Sequence, residues 1–254
     1  MSSFKDLKIK AEFLQALKNM RISEPTQIQQ EVIPIMLKKR SIIAKAQTGT
    51  GKTLAFLLPI MTMTDEALKL PQALVLSPTR ELSNQTKKVF DGVNINNNLS
   101  CNNIVGGHDL KKQENKFAQN SQLIVATPGR LLEHIRAGNI NMKYIRQLII
   151  DEADQMLEYG FLEDIVLLKD KLPDNLQIVL LSATMPKPII DLAKKLIKNP
   201  VKIDITQENT VTDNIEQLIF KTSEKNKLST LKFVIEQYNP FMAIIFCNSK
   251  KNAE

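Results

Sequence analysis

Seven short aliphatic runs punctuate the chain, each separated from the next by a helix-sized interval: "SIIAK" from Ser41, "ALVLS" from Ala73, "CNNIV" from Cys101, "LIVAT" from Leu123, "QLIID" from Gln147, "QIVLLSA" from Gln177 and "VKIDI" from Val201. Most of them are apolar at consecutive rather than alternate positions. A strand of that kind is buried on both faces, as happens in a parallel sheet sandwiched between helices. The intervals supply the helices, over 81–92, 129–138 and 188–198 among others. In the last of these Ile189, Leu192, Ala193, Leu196 and Ile197 share one face. The pattern therefore predicts an α/β protein, with a mostly parallel sheet and helices on both of its faces.

Residues 206–217, "TQENTVTDNIEQ", are polar and lack a strong period, so they read as a linker. Beyond them come an expected strand "QLIFK", a helix over 225–238 and an expected strand "MAIIFCN". One strand–helix–strand unit is too small to bury a core of its own. Residues 1–205 are thus expected to form one domain, and 218–254 the beginning of a second that is cut short.

With 43% apolar and 24% charged residues the chain is globular in character. Its net charge of +7 favours a polyanionic partner such as nucleic acid. Cys101 and Cys247 lie far apart, and no Cys/His cluster surrounds His108 or His134, so neither a disulfide framework nor a zinc site is indicated. The amino-terminal segment lacks a signal-peptide core and no apolar run is long enough to span a bilayer. A cytoplasmic protein is the expectation.

In open parallel sheets ligands bind beyond the carboxyl ends of the strands, and the segments with chemical character are there. After "SIIAK" comes "AQTGTGKT", made of Ala46, Gln47, Thr48, Gly49, Thr50, Gly51, Lys52 and Thr53. Between a strand and a helix this reads as a P-loop: the glycines let backbone N–H groups curl around phosphates, Lys52 reaches the β and γ oxygens, and Thr53 offers a hydroxyl to Mg²⁺. Ala46 replaces the first glycine of the strict pattern. After "QLII" three carboxylates fall within four residues, Asp151, Glu152 and Asp154. Acids at a helix start can simply answer the helix dipole. With a P-loop in the same sheet they acquire a purpose, in which Asp151 holds Mg²⁺ and Glu152 orients and deprotonates the water attacking a γ-phosphate.

Taken in order, "AQTGTGKT", "PTREL" at 78–82, "GG" at 106–107, "TPGR" at 127–130, "DEAD" at 151–154 and "SAT" at 182–184 resemble the motifs of the DEAD-box ATP-dependent RNA helicases. "EPTQIQQ" near the start resembles that family's adenine-reading Q motif, and "AIIFCNSKK" near the end resembles the first motif of its second RecA-like domain. The resemblance implies a RecA-like P-loop fold, ATP and Mg²⁺ as cofactors, and RNA as partner. It further implies that Gln29 reads adenine, with Phe4 and Ile22 beside the base; that Thr79, Arg80, Gly107, Thr127, Pro128, Gly129 and Arg130 grip one RNA strand through phosphate and sugar; and that Asp154, Ser182 and Thr184 couple the nucleotide site to RNA and to the second domain. Contacts of that kind position a strand without reading its sequence.

The chain departs from the pattern around the Q motif. Arg21 and Ile22 stand where the family often has Gly-Phe, so stacking on adenine would be aliphatic, and Gln27 stands where proline is common. The family's arginine fingers belong to the second domain, past Glu254, so the chain alone is expected to bind nucleotide and turn it over poorly. A DNA translocase would share the P-loop chemistry, and a noncatalytic RNA scaffold would share the basic surface. "DEAD" with "PTREL" and the Q motif argues against the first, and the presence of Lys52, Asp151 and Glu152 together argues against the second.

Overall fold

The computed structural model of the chain describes residues 3–96, 98–106, 121–205, 216 and 218–247. The chain divides into two compact units, Met1–Thr206 and Gln207–Glu254.

All seven predicted strands form in the first unit: β1 (Ile42–Lys45), β2 (Ala73–Leu76), β3 (Cys101–Ile104), β4 (Leu123–Ala126), β5 (Gln147–Ile150), β6 (Gln177–Ser182) and β7 (Val201–Asp204). They make one sheet in the order β3-β4-β2-β5-β6-β1-β7, with every pairing parallel. Successive residues along β2 serve opposite cores. Ala73 and Val75 pack with α1 (Ala11–Asn19), α2 (Gln27–Leu37), α3 (Lys52–Met63) and α4 (Arg80–Val93), whose inward side chains include Phe13, Ile33, Phe56 and Phe90. Leu74 and Leu76 pack with α5 (Pro128–Arg136), α6 (Ala153–Glu158), α7 (Leu162–Lys169) and α8 (Lys187–Leu196), through Leu131, Met156, Ile165 and Ile189 among others. The two cores explain why the strands read as continuous apolar runs. In α8, Ile189, Leu192 and Ala193 are buried as its spacing predicts.

The turn after α1 has local logic. Arg21 N–H donates to the Lys18 carbonyl and Ile22 N–H to the Leu17 carbonyl, the paired bonds of a Schellman stop. Such a stop places the intervening residue in the left-handed region, and Arg21 is there at φ 61°. A glycine at this position would meet the same demand without a Cβ penalty.

The described part of the second unit contains a 3₁₀ turn over Glu224–Asn226 and α9 (Lys227–Tyr238). The helix expected there is present, but the described residues of "QLIFK" (218–221) and "MAIIFCN" (242–247) form no strand. A strand is stabilised by a backbone partner and a covered face, and these segments have neither here: Ile219 and Phe246 are about nine-tenths exposed, and α9 buries no side chain. Apolar character alone marked them as strands, and apolar character does not supply the partner.

Candidate active site

The sheet order decides which loops meet. The P-loop leaves β1, "SAT" leaves β6 and "DEAD" leaves β5, and these three strands are consecutive in the sheet. On the other side of β5 come β2, β4 and β3, from which "PTREL", "TPGR" and "GG" emerge. At about 4.8 Å per strand the two groups of loops divide one carboxyl edge between them.

Ala46 continues the ladder beyond β1, its N–H donating to the Ser182 carbonyl at 3.0 Å. The chain then turns through Gly49 at φ 84° and Gly51 at φ 94° before α3 begins at Lys52. These two left-handed positions are the ones glycine is needed for. They bend the backbone into a concavity ahead of a helix N-terminus, an anion-receiving shape. Lys52, 5% exposed, donates to the Ala46 carbonyl at 3.1 Å and ion-pairs with Glu152 Oε1 at 2.9 Å. The lysine and the acidic tetrad, distant along the chain, thus meet directly.

Asp151 and Glu152 are almost fully buried. Burial, with the neighbouring Glu152 charge adding to it and Lys52 opposing, pushes the Asp151 carboxyl up to about 7. Glu152 itself has φ 51° and ψ 54°, a left-handed conformation that costs a side-chain-bearing residue on the order of 1 kcal/mol. Two close carboxylates, one held in a disfavoured backbone state, face a single ammonium. That is a site short of positive charge. Asp154 is in a different situation: burial pushes its carboxyl up, but hydrogen bonds from Thr184 and Ser182 outweigh this and hold it below the usual range. Thr184 donates from both N–H and Oγ1 to Asp154 Oδ2 at 2.9 and 3.0 Å, and Ser182 Oγ accepts from the Asp154 N–H at 3.1 Å. The loops after β5 and β6 are tied together by the three residues expected to act in coupling.

Gln29 is buried, and both ends of its amide are used within the protein. Oε1 accepts from the Thr26 N–H at 3.0 Å, and Nε2 donates to the Gly51 carbonyl at 3.0 Å. Sequence reading gave Gln29 to adenine and missed this bridge to the P-loop. A signal was available, since Thr26-x-x-Gln29 before an apolar run has the spacing of a helix capping box. Phe4 and Ile22 line a common cavity of about 700 Å³ with Leu14, Leu17 and Arg21. Phe4 is 4% exposed and packs into the core of the α1–α4 face.

The DEAD/DEAH box helicase family model matches residues 26–192. The chain belongs to this family. It is 37% identical over 252 residues to the ATP-dependent RNA helicase DbpA of Bacillus subtilis, a match covering 99% of this chain and 53% of the relative. To the DEAD-box ATP-dependent RNA helicase RhpA of Helicobacter pylori it is 38% identical over 254 residues, covering 99% of the chain and 51% of the relative. The chain therefore spans about half the length of these relatives. Among solved structures, a DEAD box protein from Methanococcus jannaschii matches with TM-score 0.78 at 33% identity, over 98% of this chain and 67% of that one.

In this DEAD-box chain the loops on the β2–β4–β3 side of the edge carry the residues expected to grip RNA. Thr79 caps α4, its Oγ1 accepting from the Leu82 N–H at 3.2 Å, and Arg80 follows, exposed. Thr127 precedes α5, Pro128 is its first residue, where a missing N–H costs nothing, and Gly129 comes next. Arg130 pairs with Glu133 at 2.7 Å, one turn along the same helix. Because β2 and β4 are adjacent, the starts of α4 and α5 open side by side. Gly106 lies on the next loop; Gly107 lies outside the described residues. Among the described residues no cluster of three or more His, Cys, Asp or Glu side chains suits a metal, and no helix is long and apolar enough to cross a membrane.

Proposed function

We propose that the chain is the nucleotide-binding part of an ATP-dependent RNA helicase, with residues 1–205 as its amino-terminal RecA-like domain, 206–217 as a linker and 218–254 as the start of a second RecA-like domain, and that it works in the cytoplasm. The observation that carries the reading is the 2.9 Å Lys52–Glu152 pair beside Asp151, which brings the P-loop and "DEAD" to one point. ATP and Mg²⁺ fit what is there. The loop at Gly51 has room for backbone only, because a Cβ would come within 2.5 Å of Gln29 Nε2, and the buried carboxylates lack positive charge. Thr53 and Asp151 would share a divalent ion with phosphate oxygens, as suits Mg²⁺, which is seldom held in an all-protein cage.

When bound, the ion would neutralise charge on the phosphates and make the terminal one easier to transfer. Lys52 would exchange Glu152 for a β or γ oxygen, and Glu152, released from its ion pair, would receive the proton of the attacking water. Glu152 is already aimed at the point where the lysine ends, so this exchange needs little backbone movement. Asp154, through Ser182 and Thr184, would transmit the state of the site to the neighbouring loop. Thr79, Arg80, Gly107, Thr127, Pro128, Gly129 and Arg130 would hold one RNA strand along the other half of the edge, and RNA is the proposed partner.

The chain spans about half the length of its relatives, and an arginine finger is worth a factor on the order of 10³ to 10⁵ in rate, so the residues of this chain are proposed to bind nucleotide and, by themselves, to hydrolyse it slowly. The test is Glu152→Gln in a protein that includes the second domain. Nucleotide and RNA binding should survive while RNA-stimulated hydrolysis is lost. Undiminished turnover would remove Glu152 from the chemistry, and equal stimulation by DNA would argue for a translocase instead.

A further inference from the structure

Among the described residues a single buried side-chain polar atom has no hydrogen-bond partner, the hydroxyl of Ser77, on a residue only 1% exposed. A buried hydroxyl left unpaired is destabilising compared with alanine, which would fill the same place without a polar atom. Such an atom calls for a partner that the resting site does not present. Its location says which.

Ser77 is the first residue beyond β2; its N–H donates to the Ala126 carbonyl of β4 at 2.9 Å, and the pairing with β5 extends one bond past the last registered pair. Leu76 is in register with Ile150, and the Asp151 N–H donates to the Leu76 carbonyl at 3.0 Å, which sets Ser77 opposite Asp151. Alternation fixes the face. Leu76 and Ile150 belong to the core under α5–α8, while Val75 and Ile149 belong to the core under α1–α4. One residue further on, Ser77 and Asp151 return to the α1–α4 face, the side from which Lys52 enters. Asp151 is itself incompletely bonded: its Oδ1 accepts from the Glu152 N–H at 3.1 Å, and Oδ2 accepts no hydrogen bond from the described residues. An unpaired donor and an acceptor with spare capacity therefore stand in adjacent register on one face.

We propose that Ser77 is a positioning residue for Asp151. Its hydroxyl donates to the Asp151 carboxylate, directly or through one water, once a divalent ion draws that carboxylate into its ligating orientation. The Ser77 bond then occupies one oxygen and leaves the other directed at the ion. This rests on the reading of Asp151 as the ion-holding carboxylate. It adds a residue that lies just outside "PTREL", at the end of β2 and next to β5, so that the segment carrying Thr79 and Arg80 begins beside the ion site.

The test is binding of a fluorescent ADP analogue to this chain, with Mg²⁺ and again in EDTA, for Ser77→Ala, Ser77→Thr and Asp151→Asn. Loss of a hydrogen bond to a charged group predicts that Ser77→Ala forfeits on the order of ten-fold of the affinity gained from Mg²⁺. Affinity in EDTA should be unchanged, thermal stability equal or higher, and the Mg²⁺ gain restored in Ser77→Thr, which keeps the hydroxyl. A full Mg²⁺ gain in Ser77→Ala, with the gain abolished in Asp151→Asn, overturns the role of Ser77 and leaves that of Asp151 standing. An intact gain in Asp151→Asn overturns both. Equal losses in Ser77→Ala and Ser77→Thr, or a matching loss in EDTA, would make the effect one of packing and refute the hydroxyl's part.

Discussion

Replacing Asp151 with asparagine should stabilise the protein while removing the metal-dependent part of nucleotide binding. In the folded chain, burial and the adjacent Glu152 raise the Asp151 carboxyl from 3.8 to about 7. Below about pH 4 the group is protonated both folded and unfolded and has no effect on stability. Between about pH 4 and 7 the unfolded chain releases its proton while the folded chain keeps it, so stability falls as pH rises, and above about pH 7 the whole penalty is present. At 1.36 kcal/mol per pH unit the rise corresponds to an upper limit of about 4 kcal/mol. Relaxation around the ionised group would reduce this to about 2–4 kcal/mol. Asparagine has the same shape, keeps an oxygen for the Glu152 N–H, and cannot ionise. Urea unfolding in EDTA, without nucleotide, should therefore show nearly equal stabilities at about pH 3 and an advantage for Asp151→Asn that grows from about pH 4 until about pH 7, then levels off. At a urea slope of about 2–3 kcal/mol per molar the late gap amounts to a midpoint shift of about 1 M. Adding Mg²⁺ and ADP should narrow the gap, because only the wild type gains the linked binding energy. A difference that does not vary with pH, or an asparagine variant less stable near pH 8, would refute the claim that Asp151 is held as an under-compensated buried acid.

Other outcomes can be read from the same geometry. Gly51→Ala meets two obstacles at once, a left-handed backbone at φ 94° and a Cβ 2.5 Å from Gln29 Nε2, so nucleotide affinity should fall at least ten-fold and unfolding should shift by about 1–2 kcal/mol; a neutral effect in both assays would show that the loop relaxes freely. Arg21→Gly should stabilise the chain by about 0.5 kcal/mol, the net of relieved strain at φ 61° and glycine's greater unfolded-state entropy, measured by urea melts. Glu152→Gly relieves about 1 kcal/mol of strain at φ 51° but breaks the buried pair with Lys52, a loss on the order of 3–5 kcal/mol, so urea melts should show a less stable chain and a two-domain protein should lose RNA-stimulated hydrolysis; a more stable variant would show that the pair contributes little.

The sheet was legible because burial on both faces writes itself into consecutive apolar residues, as in "ALVL" and "LIVA". The P-loop was legible for a different reason, that φ above zero at Gly49 and Gly51 leaves few alternatives to glycine. The order of strands was not. Which of seven similar runs lies beside which depends on crossovers whose lengths are alike, so the adjacency of β5, β6 and β1 appears only in three dimensions. Features that depend on tertiary packing were hidden with it: the direct Lys52–Glu152 pair across β5, β6 and β1, the Gln29 link from α2 to Gly51, and the unpaired hydroxyl of Ser77 beside β5. Ser77 is the clearest case, since a serine after an apolar strand is unremarkable until its register places it opposite a buried carboxylate.

A strained residue, a desolvated carboxyl and an unpaired hydroxyl occur together on one short arc of the molecule. Glu152 has a costly φ, Asp151 a disfavoured charge and Ser77 an unused donor, while the strands beneath them pack without such defects. A bound metal–triphosphate would answer two of these, since positive charge would suit Asp151 and its ionised carboxylate would accept a hydrogen bond from the Ser77 hydroxyl, while a phosphate would compete with Glu152 for Lys52. On the proposed function, stability given up at these positions would return as binding energy that depends on nucleotide. If the defects were incidental, repairing them one at a time would leave nucleotide affinity alone; if they are the site, every repair that stabilises the free chain weakens its response to Mg²⁺ and nucleotide. Asp151→Asn and Ser77→Ala, measured for both quantities, separate these alternatives.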